Sequence, residues 1–551
     1  MAKHLVIIGG VAAGATAAAR ARRLDEGAEI TIVEKGPYVS FANCGLPYRI
    51  SGDITKRSQL ILQTPEGFEA RYRVRVLLNT EAIAIDRSGQ VLKLRGPEGD
   101  TKLAYDSLIL AMGGTPVLPA IEGIDSLNVF RLWTIPDMDS IQSYLELKKP
   151  STALVIGGGF VGLEAAEAFI KRGLATSIVE FSPQLMPPAD PDFAALIAGA
   201  YREAGAKVIT GRAATRIDAV RGIVTLDDGS EVAAGIVLVS AGVRPNLDLA
   251  KSAGLEVGPS GGLAVNEELR TADSHIWAAG DMIEVVRRSD GKRVRIPLAG
   301  PANRQGRIAA TNALGGSMKY VGALGSSVFK AMDYTFAMTG LGEKAAAESG
   351  IEFGAAIIHK GNHVSYMPGY QEISLKLVYS RKDGLILGAQ AFGKADVEKR
   401  IDVIAAMIAG KQAISDLAEL DLCYAPSYNS ANDILNMAAF AAQNELSGYS
   451  RSVSSTSALA ETASGKAFFL DVRTRGEHGK GAPTGATNIP LDELRFSQDQ
   501  LPKNLPIIIL SRAGFEGHLA LRQLVQLGFA DLRYVAGGWL TLRLDPDYRH
   551  A

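Results

Sequence analysis

The chain has 551 residues, 47% of them hydrophobic, and its 58 basic and 59 acidic side chains leave a formal net charge of −1. That balance excludes a nucleic-acid surface, and at about 150 residues per domain the length suggests three or four domains. Only two cysteines occur, which excludes a disulfide framework and fits a reducing compartment, so the cytoplasm is the expected location. No stretch approaches the about 18 uninterrupted apolar residues that a membrane span needs.

The N-terminal "MAKHLVIIGGVAAGATAAARA" has the basic start, apolar run and A-x-A ending of a secretory signal. Gly9, Gly10 and Gly14, with Arg20, Arg22 and Arg23, fit better with a strand, a tight turn and an amphipathic helix. A second strand, "EITIVE", ends at Glu34 and completes a βαβ beginning. The pattern returns from Ala153, where "ALVIGGGFVGLEAAEAFIKRG" and "ATSIVE" again run strand, glycine turn, helix and strand to an acidic end at Glu180. A duplicated mononucleotide-binding fold is implied.

In the second copy Gly157, Gly159 and Gly162 fit G-x-G-x-x-G, whose glycines let the backbone approach a pyrophosphate at a helix N-terminus. Glu180 lies near the roughly 20-residue offset at which a carboxylate takes the ribose hydroxyls. With no arginine beside it to welcome a 2′-phosphate, NADH is expected over NADPH. The first copy keeps Gly9 and Gly14 but has Val11 at the middle position, so it leans on Glu34.

Between the copies lies "SFANCGLPY", with Cys44 among turn-forming residues. Such a turn leaves a thiol reachable and exposes backbone N–H groups, so the thiol is expected to have a lowered pKa and to act as a nucleophile. Arg49 stands five residues on, so no C-x-x-x-x-C pair forms there. The seven histidines offer no obvious proton-transfer partner, and no motif calls for a metal. Cys423, in an extended segment beside Tyr424, is read as structural.

"LILAMGG" (108–114) and "TADSHIWAAGD", which ends at Asp281, resemble the two-dinucleotide-binding flavoproteins. With "SFANCGLPY", "PLAGPANRQGR" (297–307) and "CYAPSYNSANDILNMA" (423–438), residues 1–446 resemble the coenzyme A disulfide reductase and NADH-dependent persulfide reductase branch of the pyridine nucleotide-disulfide oxidoreductases. The resemblance implies FAD held by Gly9, Gly14, Glu34 and the ribityl-binding Asp281. It implies a Cys44 that cycles between thiolate and mixed disulfide or persulfide. Tyr366 in "HVSYMPG" and Tyr424 in "CYAPSY" then reach the other subunit's cysteine in a homodimer, and Thr16, Arg20, Arg23, Ser40 and Asn43 contact coenzyme A. Asn432 departs from the family, which commonly has a lysine there.

Past Glu445 the serine-rich "LSGYSRSVSSTSALAE" reads as a linker. The remainder, with "FFLDVRTRGEHGKGAPTGATNIPLDELR", "PIIILSRAGFEGHLALRQLVQLGF" and "VAGGW", resembles a rhodanese, the module that carries sulfur on a loop cysteine. Ser511 occupies that cysteine's position, Glu516 adds negative charge to the loop, and Gly481, Ala482 and Pro483 replace the usual Gly-His-Ile. A hydroxyl cannot hold a persulfide, so the module is expected to fold without transferring sulfur.

The expected class is α/β: two Rossmann-like dinucleotide-binding domains, an α+β dimerisation domain and an α/β rhodanese-like domain. The boundaries are 1–115 and 246–325 for FAD, 116–245 for NADH, 326–446 for dimerisation, 447–457 for the linker and 458–551 for the last module. The expected activity is NADH-dependent reduction of a low-molecular-weight persulfide, polysulfide or coenzyme A disulfide. Two alternatives stay open: an NADH oxidase, although Ala12 stands where such oxidases carry histidine, and a redox or sulfur sensor with a docking rhodanese-like module.

Overall fold

A computed structural model describes residues 3–549. The chain divides into two compact units, Met1–Pro183 with Tyr201–Gly325 and Gln184–Ala200 with Ser326–Ala551. In the first unit, β-rich apolar runs form a five-stranded parallel sheet in the order Ile276–Ala278, Ser107–Leu110, His4–Ile8, Glu29–Val33, Arg75–Leu77. His4–Ile8 pairs with Glu29–Val33 from His4 opposite Glu29 to Ile8 opposite Val33. Helix α1, Ala12–Leu24, begins just past the end of the central strand.

The same unit repeats the plan in a second parallel sheet, ordered Lys207–Thr210, Ala175–Glu180, Thr152–Ile156, Ile236–Val239, Val129–Phe130. In both sheets the middle strands are buried on both faces, as parallel strands covered by helices must be. Helix α2, Leu46–Ser51, follows the Cys44 turn and packs on helix α3, Phe160–Lys171, of the second copy. Helix α4, Ala299–Ala313, packs along α1, where Gly306 permits the approach: a Cβ there would lie 2.1 Å from the Ala13 carbonyl oxygen.

The second unit is built on a five-stranded antiparallel sheet in the order Ser327–Ala331, Tyr334–Gly340, Ile386–Gly393, Glu372–Ser380, Phe353–Gly361. Helices Val397–Ala409 and Ile434–Leu446 cover it; Val397, Ile401, Ile404 and Ile408 form the buried stripe of the first. Gln184–Ala200, which sequence position assigns to the NADH domain, groups with this unit. The reason is a buried ion cluster: Lys376 Nζ lies 2.7 Å from Asp192, 3.3 Å from Asp190 and 2.5 Å from Glu343, and Asp190 N–H donates to Gln390.

The C-terminal module is a third parallel sheet, ordered Ser452–Val453, Leu532–Val535, Ile507–Leu510, Phe468–Asp471, Thr487–Asn488. The stretch 447–457, expected as a linker, is therefore partly built into it: Ser452–Val453 is an edge strand, and Ser454 caps helix Ser455–Ala463 by accepting from Ser457 N–H. Serine suits a flexible chain and a helix N-cap equally, so composition alone misplaced that boundary. The module meets the antiparallel sheet through Arg512–Glu372 at 2.9 Å and through His359, whose ring nitrogens bond Ser374 and Thr541, both at 2.8 Å.

Candidate active site

The two glycine turns repeat each other closely. Gly9 and Gly157 take positive φ, 97° and 111°, and a Cβ on Gly14 or Gly162 would fall 1.8 or 2.0 Å from the carbonyl oxygen of Gly9 or Gly157. Only glycine allows helix and strand to approach so closely. At the ends of the second strands, Glu34 accepts Gly10 and Gly36 N–H at 2.8 Å each, while Glu180 accepts Gly158 N–H at 2.6 Å and Ser182 N–H at 2.7 Å. Each carboxylate thereby locks its own turn. Gly159 caps α3 with open space before it, the room a pyrophosphate needs, whereas Val11 caps α1.

Asp281 lies in the same unit; burial raises its pKa, and among the described residues nothing donates a hydrogen bond to its carboxylate. A partly buried acceptor without a donor fits the ribityl hydroxyls of FAD, and the paired turns fit its pyrophosphate and that of NADH.

Cys44 sits in a short 3-10 turn, Asn43–Gly45, and reaches solvent. Asn43 Oδ1 accepts its backbone N–H at 3.1 Å and faces its Sγ at 3.7 Å. Protein atoms crowding the thiol push its pKa up, and the Glu164 and Asp281 carboxylates push in the same direction, against the smaller pull of the cysteine's own N–H. The expectation of a lowered thiol pKa is therefore corrected: the turn supplies its N–H, but two distant segments bring carboxylates rather than a cation.

Ser40 stands at positive φ, 46°, with its N–H on the Gly10 carbonyl, so the Cys44 segment is tied to the first glycine turn. Thr16 donates to Asn303 and Arg20 to Thr311, both on α4, at 3.0 and 3.1 Å; Arg23 is exposed. Glu164 and Tyr48 escaped the sequence reading. Tyr48 OH donates to Glu164 Oε1 at 3.3 Å across the α2–α3 contact. The available signal was a glutamate two residues beyond Gly162, on a helix whose other buried positions are mostly apolar.

In the second unit, Tyr366 and Tyr424 come together from segments 58 positions apart, and the neighbouring Tyr424 phenol raises the pKa of Tyr366. Both are open to solvent, 71% and 49% exposed. Cys423 is exposed as well, which corrects its reading as structural; it lies in an irregular segment of mostly exposed residues. Lys360 Nζ donates to the Asn432 carbonyl at 2.7 Å, placing a cation beside that position. Ser511 is 1% exposed, and its Oγ accepts Gly514 N–H at 3.0 Å. Among the described residues there is no group of three or more metal-ligating side chains, and no helix is long and apolar enough to cross a membrane.

Comparison with known proteins agrees with this geometry. The pyridine nucleotide-disulphide oxidoreductase family matches residues 3–306, its dimerisation domain 326–434, and the rhodanese-like domain 454–542. An NAD(P)H sulfur oxidoreductase (CoA-dependent) of Pyrococcus abyssi is 35% identical over 77% of this chain and 95% of its own. The crystal structure of reduced Bacillus anthracis CoADR-RHD, 37% identical, matches with a TM-score of 0.96 over 99% of this chain and 98% of its own. An NAD-dependent persulfide reductase from A. fulgidus, 33% identical, gives 0.92 over 98% and 99%. With both nucleotide turns, the antiparallel domain and the C-terminal module all matched in order, the chain belongs to the pyridine nucleotide-disulphide oxidoreductase family and carries a rhodanese-like domain.

Proposed function

We propose that the chain is an NADH-dependent flavoenzyme of the cytoplasm that reduces a persulfide, a polysulfide or coenzyme A disulfide at Cys44. The observation that carries this reading is the solvent-exposed Cys44 thiol on a segment that Ser40 ties, through its N–H on the Gly10 carbonyl, to the first of the two glycine turns. When bound, NADH and FAD supply the two electrons.

The chain's own residues do the rest. Gly157, Gly159 and Gly162 receive the NADH pyrophosphate and Glu180 its ribose, while Gly9, Gly14, Glu34 and Asp281 hold FAD. The Cys44 thiolate attacks the sulfane sulfur of R–S–SH: a new S–S bond forms, the old one breaks, and R–S⁻ leaves. Two electrons then break the new S–S bond, releasing HS⁻ and restoring the thiolate. With coenzyme A disulfide the same steps release two coenzyme A thiolates. In a homodimer, the neighbouring Tyr366 and Tyr424 of one protomer serve the Cys44 of the other, where a phenol eases thiolate departure. Thr16, Arg20, Arg23, Ser40 and Asn43 contact coenzyme A, and Lys360 offers the cation that position 432 lacks.

Steady-state NADH consumption with coenzyme A disulfide, coenzyme A persulfide, polysulfide and oxygen tests the reading. It expects a sulfur substrate to be the fastest acceptor; oxygen outrunning all three would establish the oxidase instead.

A further inference from the structure

Tyr366 and Tyr424 stand on two irregular segments of the second unit, and one buried guanidinium is bonded to the frame of both. The loop that carries Tyr366 follows strand Phe353–Gly361 and is closed at its base: Asn362 N–H donates to the Gln371 carbonyl at 2.8 Å, and Asn362 Oδ1 accepts Gln371 N–H at 2.9 Å. The segment that carries Tyr424 ends at Asp433, which caps helix Ile434–Leu446 by accepting Leu435 N–H at 2.9 Å. Asn429 pins that segment midway by donating to the Cys423 carbonyl at 3.3 Å. Arg400, on helix Val397–Ala409, reaches into both frames. Its Nη2 donates to the Asn362 carbonyl and to the Asp433 carboxylate at 2.9 Å each and lies 3.5 Å from Asn429 Oδ1. Its Nε donates to Asp433 at 3.2 Å and its Nη1 to the Asp396 carbonyl at 2.9 Å, while Asn362 Nδ2 donates to the Asp396 side chain at 3.0 Å. Arg400, Asn362, Asn429 and Asp433 are all buried.

We propose that Arg400 is a positioning residue for the two tyrosines: its guanidinium sets the loop of Tyr366 in register with the segment of Tyr424, so that both phenols are presented together. A buried arginine–aspartate pair adds little net stability over apolar residues of the same volume. What the guanidinium adds is direction, because its planar fork holds several acceptors at fixed angles, which a lysine ammonium cannot do. The tyrosines themselves are exposed, so nothing in their own packing fixes their mutual placement as firmly as the buried network beneath them. This inference rests on the reading that Tyr366 and Tyr424 serve the cysteine of the other protomer.

The experiment is a mutant cycle on the full-length holoenzyme, with flavin content as the check on folding. Arg400→Lys keeps the charge beside Asp433 and loses the fork. It should lower kcat with coenzyme A disulfide by about ten- to a hundredfold, the scale on which a small misplacement of a reacting group acts, while the rate at which NADH reduces the flavin stays unchanged. In a chain that already carries Tyr366→Phe and Tyr424→Phe, the same substitution should cost less than about twofold, because the groups it misplaces no longer act. Asn429→Ala, which leaves the Arg400–Asp433 pair intact, should show the same pattern with a smaller loss, and it carries the cycle if Arg400→Lys loses its flavin. Equal losses in both backgrounds, or a full rate for both folded variants, overturn the proposal. Hydrogen exchange separates it from the reading beneath it: Arg400→Lys should speed exchange in 362–371 and 421–433 together, and faster exchange in neither segment or in one alone also overturns it. If both segments loosen while the double tyrosine variant still reduces disulfide at the full rate, Arg400 sets the register and the catalytic role of the tyrosines fails.

Discussion

Two short turns in this chain lead into helices with a nucleophile position at their start, and they have come to opposite ends. The Cys44 turn leaves its thiol open to solvent and surrounds it with groups that govern its charge. The Ser511 turn keeps the strand, loop and helix of a sulfur-carrying module, but its hydroxyl is buried and accepts the Gly514 N–H. The difference shows that a fold is held by its apolar strands and caps, whereas its chemistry hangs on one atom and that atom's access. Ile507–Leu510 remains wholly buried behind a loop whose reactive sulfur is absent.

The largest effect should come from the active turn. Cys44→Ser is expected to lower turnover with sulfur substrates by at least about a thousandfold, the scale on which removing a nucleophile acts, while flavin absorbance stays intact. The module should instead respond as a packed structure. His359, which bonds Thr541 of the module, has its pKa pushed down to about 4 by burial, against an ordinary value near 6.5. Above pH 6.5 it is neutral in both folded and unfolded chains and its contribution is fully present. As pH falls toward 4 only the unfolded chain takes up the proton, so stability drops by up to about 3 kcal/mol. Urea titrations at pH 7.5 and pH 5 should show about 2 kcal/mol of that loss, and His359→Asn should flatten it.

Tyr424→Phe should slow disulfide turnover by about a hundredfold, the lower end for a positioned proton donor, with little change in NADH binding. Sedimentation showing a fully active monomer would contradict the shared site. Glu180→Gln should narrow the preference for NADH over NADPH by about tenfold, the lower bound of a charge-assisted contact worth roughly 1.5–3 kcal/mol; kcat/KM for both nucleotides measures it. Smallest of all, Ser511→Cys should gain no thiosulfate:cyanide transfer, because the position is buried and Glu516 repels anionic sulfur. Sulfane sulfur found at position 511 after thiosulfate treatment would show that the loop lost only its cysteine.

The parts of the fold legible in sequence are those whose determinants are local. A strand, a glycine turn, a helix and a terminal acid lie within about 35 residues, so both nucleotide folds could be read directly, down to Glu34 and Glu180. What escaped depends on distance along the chain. Tyr48 and Glu164 are separated by 116 positions and meet only because the Cys44 helix packs on a helix of the second copy. The rise in the Cys44 pKa comes from Glu164 and Asp281, neither of which a local reading of the turn includes. Gln184–Ala200 leaves its sequence neighbours because Lys376 and Gln390 hold it to the antiparallel sheet. The fate of Ser452–Val453 shows the remaining weakness: composition describes how free a chain would be in isolation, not which edge strand it will complete.

The claim that Cys44 alone receives sulfur can be tested at the atom. The holoenzyme, without NADH, is mixed with coenzyme A persulfide carrying heavy sulfur in the outer position, quenched with an alkylating agent and mapped by peptide mass spectrometry. The account predicts one heavy sulfur on the peptide containing Cys44, none on those containing Cys423 or Ser511, and its release as labelled sulfide when NADH is added. Heavy sulfur on Cys423, or NADH-driven sulfide release with Cys44 never labelled, would contradict it.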